Sequence, residues 1–297
     1  MTLIDLTVAY ASDERCRELL ERLRWPEGPK CLRCGGPAVR LTTNTKKLLY
    51  CKECDYQFTV TTATIFHDSH LPLIKWFTVV LLMCEAKKGI SAHQIMRTVG
   101  MAYKTAWYLC HRIRKAMEET SKTTAQLADG GGVIEIDETY VGGKRHGKRG
   151  RGAEGKEIVI GIREREGDLR FFRAEDVKSG TLAKYIQEHI SADVDVIMTD
   201  DLSAYKKAVD QERHETVTHS AGEYVRGDIH TNTIESAFSL LKRGIIGSWH
   251  KVSAKHLESY LDEMTFRFNR RNKSDLFLDT LRHMVIADPV TFEELTA

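Results

Sequence analysis

Apolar residues recur along this chain with two different periods, and the change falls near residue 133. Upstream the spacing is helical. Leu19, Leu20 and Leu23 share one face of a segment over 12–24 that also carries Arg15 and stops before Trp25-Pro26-Glu27-Gly28. A second helix is predicted to start at Pro72, a favourable first-turn residue, and to stop at Gly89. Ser91 with Gln94 three residues on forms a capping-box pattern for a short helix ending near Gly100, and a longer helix follows from Tyr103 to about Glu119. The polar, Gly-rich stretch 120–132 is a predicted linker. Beyond it the period becomes that of strands, predicted at 133–141, 157–165, 168–174, 195–199 and 215–219, with helices at 181–190 and 202–209. Strands first, then strands alternating with helices, predict an α/β domain with a mixed sheet. From Ala254 the chain is helical again, with Leu257, Tyr260, Leu261 and Met264 on one stripe. The segments predicted are a helical one at 1–27, a cysteine-bearing module at 28–66, a helical region at 67–122, the strand-rich domain at 133–250 and C-terminal helices at 251–297.

Cysteine spacing adds chemistry to the second segment. Cys31-x2-Cys34 is followed, after sixteen residues, by Cys51-x2-Cys54. Two tight turns each offering two sulfurs complete a tetrahedron, so the spacing predicts a structural Zn²⁺ site of zinc-ribbon type. Gly35 and Gly36 permit the first turn. The remaining cysteines of the seven, Cys16, Cys84 and Cys110, lie in helical segments and are expected to be buried thiols. This usage belongs to a reducing, cytoplasmic compartment rather than to a disulfide framework. The longest apolar run, Trp76 to Cys84, is far shorter than the roughly 20 residues that span a bilayer.

Charge is balanced in sum, 44 basic against 42 acidic residues, but uneven in place. Lys144, Arg145, Lys148 and Arg149 crowd one loop, and Arg270 and Arg271 belong to a second basic cluster at 267–273. Such clusters suit nucleic-acid phosphates or a solvated face. Ser91 to Ala116 has the form of a helix-turn-helix, with Lys104 and Arg112 on the second helix as candidate DNA contacts. Arg112 and Arg114 also suit the C-terminal half of a helix for dipole reasons alone.

Three acids stand at element ends. Asp137 closes the run Val133-Ile134-Glu135-Ile136, Asp200 closes Val194 to Thr199, and Glu235 opens an amphipathic helix, Ile234 to Lys242. If the first and fourth strands are neighbours, both aspartates point into one crevice, where α/β proteins place chemistry. Lys242, seven residues after Glu235, lies within about 20° of it on an ideal helix. Hard oxygen ligands in this arrangement suit two divalent ions, Mg²⁺ or Mn²⁺, and phosphodiester chemistry. Bland readings compete for two of the acids. Asp200 with Asp201 fits an N-cap for a helix at Leu202, and Asn232 with Glu235 fits a capping box. Alternation turns Glu138 to the face opposite Asp137. His219 and His230, flanking Glu223, are candidate neighbours of the site or structural residues.

Taken together, Cys31-Leu32-Arg33-Cys34-Gly35, Ile136-Asp137-Glu138-Thr139-Tyr140-Val141-Gly142-Gly143-Lys144, Thr199-Asp200, His230-Thr231-Asn232-Thr233-Ile234-Glu235 and Lys242-Arg243-Gly244 resemble bacterial insertion-sequence transposases of the group related to Merlin elements. The resemblance runs over about residues 12–273. It implies an RNase H-like catalytic domain behind a zinc ribbon and a helical DNA-binding region. It also implies that Asp137, Asp200 and Glu235 are the catalytic acids and metal ligands, and Lys242 the basic residue that follows them. Some members carry Asn at the third acidic position, whereas this chain has Glu235 there. Expected partners are double-stranded DNA, as terminal inverted repeats and target, and further copies of the chain in a dimer or higher oligomer. The expected location is the cytoplasm, at the nucleoid. The rival classes are a DNA-binding regulator without catalysis and a nuclease that cuts without joining.

Overall fold

The computed structural model describes residues 1–41, 48–118, 125–142, 155–217 and 227–297. They divide into two units, Met1–Met117 with Asn272–Ala297, and Glu118–Arg271.

The first unit opens with α1 (Leu3–Ala9), where the Thr2 hydroxyl accepts the Asp5 N–H and the Asp5 carboxylate accepts the Thr2 N–H. Ser12 caps α2 (Asp13–Arg24). Strands β1 (Ala38–Arg40), β2 (Leu49–Cys51) and β3 (Gln57–Phe58) form an antiparallel sheet around Ala38, Leu49 and Phe58, with Trp25 and Tyr56 against it. Helix α3 (Leu73–Glu85) follows Pro72 and buries Trp76, Phe77, Val79, Val80, Leu81 and Met83. Those positions run round more than one face, so α3 is a central helix of its unit. Ser91 caps α4 (Ala92–Val99) by accepting the Gln94 N–H, but the reciprocal half of the expected capping box is not made: the Gln94 amide binds Thr98 and Arg97 instead. Gly100, at φ +65°, ends α4 in the left-handed conformation, and α5 (Tyr103–Met117) follows. Cys16, Cys84 and Cys110 are buried.

The second unit is built on β4 (Val133–Val141), β5 (Glu157–Glu164), β6 (Leu169–Ala174), α6 (Ser179–His189), β7 (Val196–Thr199), α7 (Tyr205–Ala208), β8 (His214–Thr216), α8 (Asn232–Gly244) and α9 (Leu257–Asn269). The sheet order is β6-β5-β4-β7-β8. The first three strands are antiparallel, and β7 and β8 join parallel to β4. This is the mixed sheet expected, with β4 and β7 side by side. The helix expected over 202–209 shrinks to the single turn α7. Asp200 Oδ1 takes the Leu202 N–H at 3.0 Å in a local turn, which delays the helix.

Alternation along β4 sorts the core. Ile134 and Ile136 pack with Ile160, Ile162, Leu182 and Tyr205 on one face. Val141 and Val159 pack on the other with Phe171, Ile234, Phe238 and Leu241. After α9 the chain returns to the first unit in α10 (Leu276–Ile286) and α11 (Phe292–Thr296). The C-terminal helices expected as one segment over 251–297 are therefore divided between the units. Helical period alone does not say which core a stripe joins; α10 meets α2, α3 and α5, with Phe277 edge-on to Phe77 at 5.7 Å. Among the described residues, no helix is long and apolar enough to cross a membrane.

Candidate functional site

Cys31, Cys34, Cys51 and Cys54 bring their sulfurs within 4.8 Å of one another. The closest approaches are 3.5 Å between Cys31 and Cys54 and 3.4 Å between Cys34 and Cys51. Four sulfurs about 2.3 Å from a central Zn²⁺ stand about 3.8 Å apart, so the cluster fits tetrahedral zinc. Both turns have the same plan. Gly35 follows the first pair at φ +76° and Asp55 follows the second at φ +56°. Asp55 was not singled out from sequence; its signal was an Asp directly after a Cys-x2-Cys pair, a residue type that tolerates the left-handed region.

The carboxylates come together at the C-terminal edge of the parallel strand pair. Pairing of β4 with β7 covers Val133 to Glu135 and ends there, so the edge of β4 facing β7 is uncovered at Asp137 and Glu138. Oxygens of Asp137, Glu138 and Asp200 lie within 4.8 Å of one another. Alternation does set Asp137 and Glu138 on opposite faces, as expected, but at this uncovered edge their oxygens still converge. Glu138 is held from its own face by the buried Tyr205, whose hydroxyl donates to Glu138 Oε2 at 3.2 Å. Glu138 is thus a member of the cluster that the reading of strand parity had set aside.

Burial, followed by the charges of Glu138 and Asp200, pushes the Asp137 carboxyl well above the usual carboxylate range. Glu235 adds a smaller push, so the helix-borne acid stands within electrostatic reach of Asp137. The Glu138 N–H, donating to Asp137 Oδ1 at 2.8 Å, pulls the other way. A buried carboxyl crowded by like charges is what a divalent cation relieves. The donor set, all carboxylate oxygen, fits Mg²⁺ or Mn²⁺.

Two features bring α8 close to this edge. Gly161 pairs directly with Asp137. A Cβ there would stand 2.7 Å from Ile234 Cδ1 and 2.8 Å from Phe238 Cζ, so the bare backbone lets α8 lie on the sheet. The second feature is Glu135, fully buried on β4 and on the same face as Asp137. Its carboxylate accepts the N–H groups of Thr233 and Ile234 at 2.9 and 3.0 Å, in the first turn of α8. The capping box of Asn232 with Glu235 is accordingly not formed: the N-cap is Thr231, without a side-chain cap bond, and Asn232 is exposed.

Two family models match this chain: an ISXO2-like transposase domain over residues 129–269 and a transposase zinc-ribbon domain over 11–57. Over those residues the chain is similar to insertion-sequence transposases that carry a zinc ribbon. A similar protein, an uncharacterized protein in transposable element ISH50 of Halobacterium salinarum, is 29% identical over 279 residues, covering 87% of this chain and 91% of its own. Among solved structures, a pre-cleavage Mos1 transpososome matches at 8% identity and TM-score 0.25, covering 70% of this chain and 75% of that one. The Mos1 strand transfer complex matches at 9% identity and TM-score 0.28, covering 70% and 74%. Scores that low do not by themselves establish a shared fold.

The remaining residues singled out from sequence fall in different settings. Arg112 is only 4% exposed, donates to the His67 carbonyl at 2.6 Å, and sits over the rings of Trp76 and Tyr108 at 5.0 and 5.2 Å. Helix α5 buries residues on every side from Leu109 to Arg114, so this guanidinium, expected from sequence as a DNA contact, is packed within its own unit. Lys104, in the exposed first turn of α5, stands over the Phe292 ring at 4.2 Å. Lys242 and Arg243 are exposed in the last turn of α8. Arg270 stacks on Phe266 at 3.9 Å and Arg271 on Phe268 at 4.1 Å. His230 Nδ1 lies 3.3 Å from Glu135 Oε1 and 3.0 Å from Arg165 Nη2, which places it with the Glu135 group. Lys144, Arg145, Lys148, Arg149, His219 and Glu223 lie outside the described residues.

Proposed function

We propose that this protein cuts DNA at the ends of its insertion sequence and joins the freed 3′-hydroxyls to target DNA, with Asp137, Asp200 and Glu235 holding two divalent ions. The observation that carries the proposal is the convergence of Asp137, Glu138 and Asp200 oxygens within 4.8 Å at the strand edge, with the first turn of α8, which carries Glu235, hydrogen-bonded to Glu135 on the same strand. Divalent ions bound there supply a low-pKa water for hydrolysis and neutralise charge on the reacting phosphate. Asp137, with Asp200 and Glu235 beside it, would hold these ions through its carboxylate oxygens. Glu138, fixed by Tyr205, adds negative charge and an outer hydrogen-bond acceptor. Lys242 and Arg243 at the far end of α8, with Lys104, Arg270 and Arg271, contact phosphates. The ribbon keeps its zinc as a structural ion. Handling two element ends in one complex calls for at least two copies of the chain.

The test uses DNA carrying the repeats that flank the coding region, intact or pre-nicked at the 3′ end, with Mg²⁺ or Mn²⁺. Asp137→Asn, Asp200→Asn and Glu235→Gln should each lower cleavage and joining by about 10³-fold or more while leaving DNA binding intact. Transfer near the wild-type rate in Asp137→Asn rejects the assignment. Cleavage by the wild type without joining of the pre-nicked end marks a nuclease, and binding with neither reaction marks a regulator.

A further inference from the structure

Glu135 is a full-length acid buried in the middle of an apolar strand, and nothing in the cleavage chemistry uses it. Its neighbours explain its presence. Helix α8 starts at Asn232 after an N-cap, Thr231, whose side chain does not cap. The helix N–H groups of Thr233 and Ile234, which an N-cap side chain normally satisfies, donate instead to Glu135 Oε2, a group from another element of the same unit. Glu135 Oε1 accepts Arg165 Nε at 2.8 Å, and Arg165 Nη2 donates to the His230 carbonyl at 3.0 Å, just ahead of the helix. The negative charge stands at the positive end of α8 and is balanced by Arg165 on its other side. Thr231, relieved of capping, turns its hydroxyl to Glu235 Oε1 at 3.4 Å.

This arrangement links two of the acids. Glu135 lies two residues before Asp137 on the same face of β4. The N–H groups it holds belong to the two residues directly before Glu235. We infer that Glu135 is a positioning residue, a carboxylate pin that fixes the first turn of α8 and thereby the place of Glu235 relative to Asp137. The inference rests on the proposal that Glu235 and Asp137 share a metal site. Arg165 and His230 act with Glu135, and the polar floor of the pin is therefore an outer layer of that site rather than part of it.

Glu135→Gln keeps the shape of the side chain and removes the charge that Arg165 and the helix end require. In the full-length protein it should raise the Mg²⁺ concentration at half-maximal cleavage by about tenfold and slow cleavage by about 10- to 100-fold, with DNA affinity unchanged. A general loss of stability would lower the folded fraction without moving the Mg²⁺ midpoint, so the midpoint is the deciding readout. A wild-type midpoint and rate overturns the inference. Should Glu135→Gln not fold, Glu135→Asp keeps the charge but withdraws it by one methylene; it should move the midpoint in the same direction by a smaller factor, and an unmoved midpoint again overturns the inference. Asp137→Asn and Glu235→Gln are assayed alongside. If both retain wild-type cleavage, the shared site itself fails; if both abolish it while Glu135→Gln behaves as wild type, only the positioning role fails.

Discussion

The ribbon cluster and the carboxylate cluster each bring together atoms that could hold a cation, yet the chain makes them in opposite ways. The thiols come from two short turns, each bringing a pair of ligands and the left-handed residue that shapes it, Gly35 or Asp55. The acids come from β4, β7 and α8, and no local segment brings more than two of them. A local site is closed by its own turns and stabilises the segment that forms it. A site assembled from distant elements is a cost to the fold: its like charges repel, and other residues have to hold the elements together. Glu135 and Gly161 serve that purpose, one by capping α8 from the sheet and the other by leaving room for it.

The contrast predicts opposite signs on metal removal. In Cys51→Ala the ribbon loses its zinc, and structural zinc is worth roughly 10–16 kcal/mol to peptides of this kind at neutral pH. That is as large as the whole stability of an ordinary domain, about 5–15 kcal/mol. Zinc content should fall to background, and residues 28–60 should become sensitive to limited proteolysis. The Mg²⁺-induced rise in melting temperature of the carboxylate unit should survive; losing both together would break the comparison.

Asp137→Asn should do the reverse. It removes one buried charge from a crowded set, so in chelator the second unit should melt higher by about 2–4 °C, on the order of 1 kcal/mol. The same substitution should erase the stabilisation that Mg²⁺ gives the wild type. A lower melting temperature in chelator would mean that Asp137 is satisfied without a cation, and the two clusters would then be alike.

Gly161→Ala tests the support rather than the ligands. The added methyl has to displace Ile234 and Phe238, an overpacking that typically costs about 1–3 kcal/mol. Because those side chains belong to the turns around Glu235, the Mg²⁺ midpoint should rise along with the loss of stability. An unmoved midpoint would show that α8 is held by Glu135 alone.

The same difference governs what could be read in the sequence. The four thiols of the ribbon were legible, because spacing alone brings them together, whereas the left-handed Asp55 after the second pair was not. The strands were legible from their period, and β4 was expected at 133–141, where it lies. Asp137 stood out as the acid that ends an apolar run, although it sits in the middle of β4, and Asp200 and Glu235 as acids at element ends. Glu138 was set aside because parity describes faces and does not describe the uncovered edge where β7 stops. Glu135 was passed over as one more member of an apolar run, although an acid sharing the parity of Asp137 inside such a run was a usable signal. The burial of Arg112 was not legible, because helical period alone does not show that α5 is buried on all sides around it. The misses at Glu138, Glu135 and Arg112 each concern a partner distant in sequence.

Lys242 gives the smallest expected effect and the finest test of the contrast. It is exposed in the last turn of α8, on the helix that carries Glu235, and no strand or turn depends on it. Lys242→Ala should therefore leave the melting temperature within the range of ordinary surface changes, about 0.5 kcal/mol either way. If it meets one phosphate, the slope of log affinity against log salt should fall by about 1, without a change in sequence preference. The Mg²⁺ midpoint should stay where it is, since a phosphate contact at the far end of the helix neither caps it nor packs it. Should the midpoint move instead, Lys242 would count with Glu135 and Gly161 among the residues that place Glu235, and the support of the carboxylate site would extend along the whole of α8.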